Sequence, residues 1–230
     1  MQLAYNFSHV IDQGSGVTHG GEALPQGQRG VYYWDVHMKR SPAAFDIKHS
    51  FVTNFSYEPT FGRDLAGVAG AIVKGWQLNG VLSLSSGHPL SVLDDANAAQ
   101  ITRIGDAESL RVDLIPGGNN NPVLGGPDRY YDPSQFTPSQ TGYFGTVGPG
   151  TVRAPGLATF DLSVFKSFNV TETNRFQFRA EFFNLFNRVN FHTPDMIPFG
   201  PTGTPNPNAG QIERTRTPAR QIQFALKYIF

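Results

Sequence analysis

The chain has no cysteine. Disulfides, thiol nucleophiles and thiolate metal sites are therefore excluded, while the compartment stays open. It has no excess of charge either. Its 18 Lys and Arg balance 18 Asp and Glu, so it lacks the concentrated basic surface that nucleic acid needs, and no nucleic-acid partner is expected. Only 16% of residues are charged, against about a quarter in ordinary soluble domains, and much of the surface must be neutral. No apolar run approaches the ~18 residues of a membrane helix. The first residues, "MQLAYNFSHV", lack the basic-then-apolar order of a signal peptide and read as the middle of a strand.

What the chain has in quantity is aromatics, 19 of them Phe, together with 25 Gly and 17 Pro. Period-2 alternation dominates and helical spacing is scarce. Six strands are predicted, at about 2–10, 44–58, 71–92, 158–169, 174–187 and 219–230. Phe160, Leu162, Val164 and Phe168 alternate with Asp161, Ser163 and Ser167. Phe176, Phe178, Ala180 and Phe182 alternate with Arg175, Gln177, Arg179 and Glu181, and the chain closes on "RQIQFALKYIF" in the same rhythm. Several of these alternations run for about ten residues, the length a tilted strand needs to cross a bilayer.

Connections alternate between long (11–43, 93–157, 188–218) and short (59–70, 170–173). Long loops at one end and short turns at the other are the pattern of an outer-membrane barrel. The expected fold is therefore all-β: an antiparallel up-and-down transmembrane barrel segment of about six long strands. The long loops, with "PGGNNNPVLGGPD" and "PFGPTGTPNPNAG", are expected to be irregular or mobile. If the short turns are periplasmic, Lys74 and Lys166 lie near that boundary on apolar faces and can snorkel to headgroups. Tyr57, Trp76, Phe168 and Phe176, with Tyr228 and Phe230, would form an aromatic girdle there. Asn54, Glu58, Gln77, Asn79, Asp161, Gln177, Arg179, Glu181, Gln223 and Lys227 would face the lumen. His49, on the apolar face of the second strand, is placed outside the bilayer.

The segment "RFQFRAEFFNLFNRVNF", 175–191, resembles the penultimate strand of TonB-dependent outer-membrane receptors. "FDIKHSFVTNFSYE", "KGWQLNGVLSLSSGHPLSV" and "APGLATFDLSVFKSF" resemble the Oar-like branch in the same order. The resemblance implies the last strands of a 22-stranded barrel in the bacterial outer membrane, importing a bulky solute such as a metal chelate or oligosaccharide. It implies as partners the N-terminal barrel strands and plug, outer-membrane lipid, the barrel-assembly machinery and the TonB complex. Plug, TonB box and signal peptide are not recognisable in this sequence, so energised transport by this segment alone is not expected. Phe224, Leu226, Tyr228 and Phe230 resemble the C-terminal signal read by the assembly machinery.

Chemistry-bearing clusters are weak. The six histidines (His9, His19, His37, His49, His88 and His192) show no zinc spacing. Asp94, Asp95, Asp106, Glu108 and Asp113 read as solvated charge before a calcium site. "GTVGPG" at 145–150 lacks the Lys of a phosphate loop, and Ser85, Ser86 and His88 lack a nucleophile elbow. No catalytic, cofactor or metal residues are assigned, and the chain is not expected to be an enzyme. The competing reading is a soluble β-sandwich that stacks sugars on Tyr32, Tyr33, Trp34, Tyr130 and Tyr131, or a surface adhesion role for the loops.

Overall fold

The computed structural model describes residues 1–12, 18–19, 22–23, 40–62, 64–93, 111–140, 143, 145–171 and 173–230. Six strands form one antiparallel meander in chain order. They are β1 (Gln2–Phe7), β2 (His49–Tyr57), β3 (Trp76–Ser85), β4 (Leu157–Asn169), β5 (Arg175–Phe183) and β6 (Gln221–Ile229). The sheet is not closed: β1 and β6 are its two edges.

Register carries the alternation across the whole sheet. Tyr5 pairs with Phe51, Phe51 with Leu84, and Leu84 with Ala158. Further along, Phe168 pairs with Phe176, and Phe176 with Tyr228. Side chains two apart share a face, so these pairings put most of the apolar alternates on one side and most of the polar alternates on the other, with Phe165 and Val81 on the polar side and Lys166 on the apolar side as exceptions. Gly80 interrupts the apolar side opposite Phe55, and a Cβ there would stand 2.3 Å from the Phe55 ring. The glycine leaves room for a neighbouring aromatic to lie over bare backbone.

Several sequence boundaries move. The third strand starts at Trp76 instead of 71, because Gly67–Val73 forms a short helix, α1. Lys74 is therefore the C-cap of that helix and not a strand residue. Gly75 ends the segment with φ +76, and a Cβ on it would meet the Ser167 carbonyl oxygen at 2.5 Å. The second strand starts at His49, since Ala43–Asp46 turns, with the Asp46 amide donating to the Ala43 carbonyl at 2.8 Å. The fifth stops at Phe183, because Asn184 and Asn187 both take φ 50 and turn the chain.

The core lies outside the sheet. Leu90, Val92, Val112, Tyr131, Val152 and Met196 are each at most 1% exposed and belong to one apolar cluster. They come from the segments after β3, before β4 and between β5 and β6. Where they are described, the long loops are largely irregular, yet they are packed together and cross-bonded. The Leu93 amide donates to Met196 O, Tyr130 to Gly210 O and Ile212 to Pro127 O. Apolar burial, not regular pairing, holds this platform over the long-loop end of the sheet.

Candidate functional site

The polar face of the sheet is a laterally bonded wall. Gln77 donates through Nε2 to Ser56 Oγ at 3.0 Å and to Asn79 Oδ1 at 3.1 Å. Gln177 reaches Ser167 Oγ, and Arg179 donates through Nε to Gln177 Oε1 at 2.9 Å. The guanidinium also lies 4.7 Å from the centre of the Phe165 ring. Phe165 is an aromatic on the polar face, and its ring packs against the Arg179 guanidinium. Register sets Glu181 between Ser163 and Gln223, and Gln177 between Ser167 and Lys227. Asp161 differs from the rest, because its Oδ1 accepts the Asn184 amide at 2.8 Å. It is a turn cap at the edge of the wall.

On the other face, the aromatics expected to form a girdle gather at the short-turn end. Phe176 and Tyr228 rings lie 4.9 Å apart, and Tyr228 stacks on Phe230 at 5.6 Å. Phe178 stacks on Phe224 at 6.0 Å. Tyr57, Trp76, Phe168, Phe176, Phe224, Leu226, Tyr228 and Phe230 are all exposed. Among the described residues no second sheet covers them. Lys166 behaves differently from expectation. It is 3% exposed, and its Nζ donates to the Ile72 carbonyl at 3.0 Å and to the Lys74 carbonyl. It sits 5.1 Å from both the Trp76 and Phe168 ring centres. It does not snorkel, because the C-terminal carbonyls of α1 come to it.

At the long-loop end, two asparagine clasps fasten the platform to the strands. Asn184 accepts the Arg188 amide at 3.0 Å and donates through Nδ2 to the Arg188 and Pro218 carbonyls. Asn190 bonds both the amide and the carbonyl of Ala158 and also Thr217 Oγ1. The local Asn-Leu-Phe-Asn thus closes a turn and ties β4, β5 and β6 together. His49 also sits at this end, bonded to the Tyr5 hydroxyl at 2.9 Å and against the Phe7 ring.

A buried ion pair was not legible in the sequence. Asp46 is fully buried; its Oδ2 accepts from Arg153 at 2.8 Å and lies 3.1 Å from His9 Nδ1, while its Oδ1 accepts the Val10 amide. Burial alone would raise this carboxyl. The Val10 amide, the Arg153 guanidinium and His9 together outweigh it and hold Asp46 below the ordinary value.

The other candidates disperse. Asp113 pairs with Thr137 in a short two-stranded ladder and accepts the Thr146 amide at 2.9 Å, which makes it a structural residue of the platform. Asp94, Asp95, Asp106 and Glu108 lie outside the described residues, as do His37, Tyr32, Tyr33 and Trp34; the side chain of His19 is likewise undescribed. Among the described residues no group of His, Asp and Glu is placed to hold a metal. Tyr130 and Tyr131 are not sugar-stacking residues on a surface but core: Tyr131 is fully buried, and Tyr130 donates its hydroxyl to the Arg153 carbonyl at 2.8 Å. Burial pushes the Tyr130 phenol up to about 12.

A six-stranded meander with one continuous apolar face, one bonded polar face, short turns at one end and packed loops at the other defines a segment of a transmembrane β-barrel wall. Residues 1–223 match the model of the outer membrane beta barrel domain family, and the chain belongs to that family. Its location is the bacterial outer membrane. This removes the soluble sandwich reading. Comparisons with curated proteins and with solved structures return no match.

Proposed function

We propose that this chain is the C-terminal part of the barrel of a TonB-dependent, Oar-like receptor that imports a bulky solute of the metal-chelate or oligosaccharide class. The observation that carries this reading is the pairing of a bonded polar wall with a folded platform at its outer end. A bare pore needs no platform with its own apolar core, whereas a receptor needs a rigid surface that meets solute before the lumen does. The wall then contacts a plug or lines the solute's path, through Gln77, Asn79, Gln177, Arg179, Glu181, Gln223 and Lys227. The chain is a binding and transport component with no catalytic role.

The open edges β1 and β6 support partners of the same kind. Unpaired backbone is not tolerated in lipid, so further barrel strands pair with both edges. The C-terminal face Phe224, Leu226, Tyr228 and Phe230 is the segment offered to the barrel-assembly machinery, and energy reaches the barrel from the TonB complex through the plug. The test uses the complete gene product in its own outer membrane. Solute accumulation is expected to fall to the passive level on loss of TonB and on removal of 111–155. Accumulation indifferent to both losses, or recovery of the protein as a soluble periplasmic monomer, overturns the reading.

A further inference from the structure

The connection from β2 to β3, residues 58–75, lies at the short-turn end and carries α1. Its position relative to the sheet is fixed by two bonds to one carbonyl. Trp76 Nε1 donates to Ile72 O at 2.9 Å, and Lys166 Nζ donates to the same oxygen at 3.0 Å. Trp76 and Lys166 are register partners on the apolar side of the sheet. Helix α1 is therefore hung on the lipid-facing side, not folded into the lumen.

Its composition suits that side. Residues 65–73, "LAGVAGAIV", carry no charge, and Asp64 and Lys74 bracket them. Val68 is 77% exposed, Phe61 64% and Ile72 63%. An open groove of about 390 Å³ runs between this segment and β3, lined by Pro59, Phe61, Ile72, Val73, Trp76 and Leu78. Contiguous exposed apolar surface of this kind is costly in water. Here it continues the apolar face of the barrel wall, which already meets lipid. The helix also shields a charge: Lys166 would otherwise be an ammonium on the lipid face, and the α1 carbonyls with the Trp76 and Phe168 rings enclose it.

We propose that Phe61 and the uncharged stretch Leu65–Val73 form an interfacial anchor, lying in the periplasmic leaflet of the outer membrane with Phe61, Val68 and Ile72 among glycerophospholipid acyl chains and a chain end in the groove beside Trp76. The proposal rests on the lipid-facing assignment of the apolar side. The anchor widens the apolar band at one point of the barrel's circumference. It fixes the depth of β2 and β3, as an amphipathic surface helix fixes a peripheral protein.

Residues 1–230 contain no cysteine, so an introduced thiol reports one position once any cysteine elsewhere in the complete protein is replaced by serine. Val68→Cys, Leu226→Cys and Gln223→Cys are each labelled with a bimane fluorophore in the complete protein. The protein is reconstituted in vesicles of phosphatidylethanolamine and phosphatidylglycerol. Doxyl-labelled phospholipid and aqueous iodide are the two quenchers. Label on Val68→Cys is expected to be quenched by doxyl lipid as strongly as label on Leu226→Cys, and to be shielded from iodide. Label on Gln223→Cys marks the lipid-free wall. If Leu226→Cys is quenched by lipid and Val68→Cys only by iodide, the segment points into water and the anchor is overturned while the barrel reading stands. Protection of Val68→Cys from both quenchers means that protein covers the segment, which also overturns the anchor. If Leu226→Cys is not quenched by lipid, the underlying lipid-face assignment fails and the anchor with it. A further readout places the label on Leu78→Cys in the groove: adding Val68→Asp and Ile72→Asp is expected to expose it to iodide without changing Leu226→Cys, and no change at Leu78→Cys overturns the anchor.

Discussion

Leu226, in the last strand, is 68% exposed, whereas Leu90, at the base of the platform, is 1% exposed. Both are leucines in a protein whose function needs them apolar. The wall places its hydrophobes outward because its solvent on that side is lipid, so their exposure in the isolated sheet is their working state. The platform is surrounded by water and must bury its own. One chain thus follows two burial rules, and the boundary between them falls at the Asn184 and Asn190 clasps and the Asp46–Arg153 pair.

Breaking that boundary should have the largest effect. Asp46→Ala leaves Arg153 without its carboxylate partner, a loss of about 3–5 kcal/mol for a buried pair, and should release the platform while the wall stays inserted. Limited proteolysis of outer-membrane vesicles reads this as cleavage between 111 and 155 with the β4–β5 hairpin intact. The sign with pH follows from the depressed carboxyl. Its contribution is complete above the usual aspartate pKa of 3.8 and is lost as pH falls through the lower folded value. Acid should therefore loosen the platform of the natural protein, and Asp46→Asn should lack that step.

Leu90→Ala should cost about 2–5 kcal/mol, because a cavity opens in a packed core. Leu226→Ala opens no cavity and should change denaturant resistance much less. Equal losses at the two sites would erase the distinction. Within the wall, Leu162→Arg should cost about 2–4 kcal/mol in bilayers, as a charge on the lipid face does. The neighbouring Ser163→Arg should cost under about 0.5 kcal/mol, as at an ordinary wet surface. Urea titrations of the vesicle-folded protein compare them, and loss of this one-residue contrast would mean the faces are misassigned. Smaller still, Asn184→Gly keeps the φ 50 turn but loses the side-chain clasp, while Asn184→Ala also strains the backbone. The difference should be about 1 kcal/mol.

The wall was legible because alternation is local: each strand states both of its faces within ten residues. Leu162 and Ser163 needed no tertiary information. The platform was not legible, since Leu90, Val112, Tyr131 and Met196 become neighbours only through folding and sit in stretches that composition marks as loop. Asp46 and Arg153 gave no signal across such a separation. Helix α1 straddles a predicted turn (59–70) and the start of a predicted strand at 71, because 71–76 continues an alternating run; the signals against it are the glycines at 67, 70 and 75. Lys166 stands out in the sequence as a charge on an apolar face, but its partners are helix-end carbonyls that sequence does not display.

The turn at 170–174 has a consequence for the order of assembly. It is the only connection in the sheet short enough for two long strands to meet without closing a large loop. Val170 and Thr171 donate to the Asn174 carbonyl, and the Asn174 amide donates to Thr171 Oγ1. Loop-closure entropy rises with loop length, so β4 and β5 are expected to form the first ladder, with β3 and β6 adding to a hairpin already made. The wall then grows outward from the C-terminal half in both directions, and the platform, whose segments enter from both sides of that hairpin, can pack only after its neighbours have arrived.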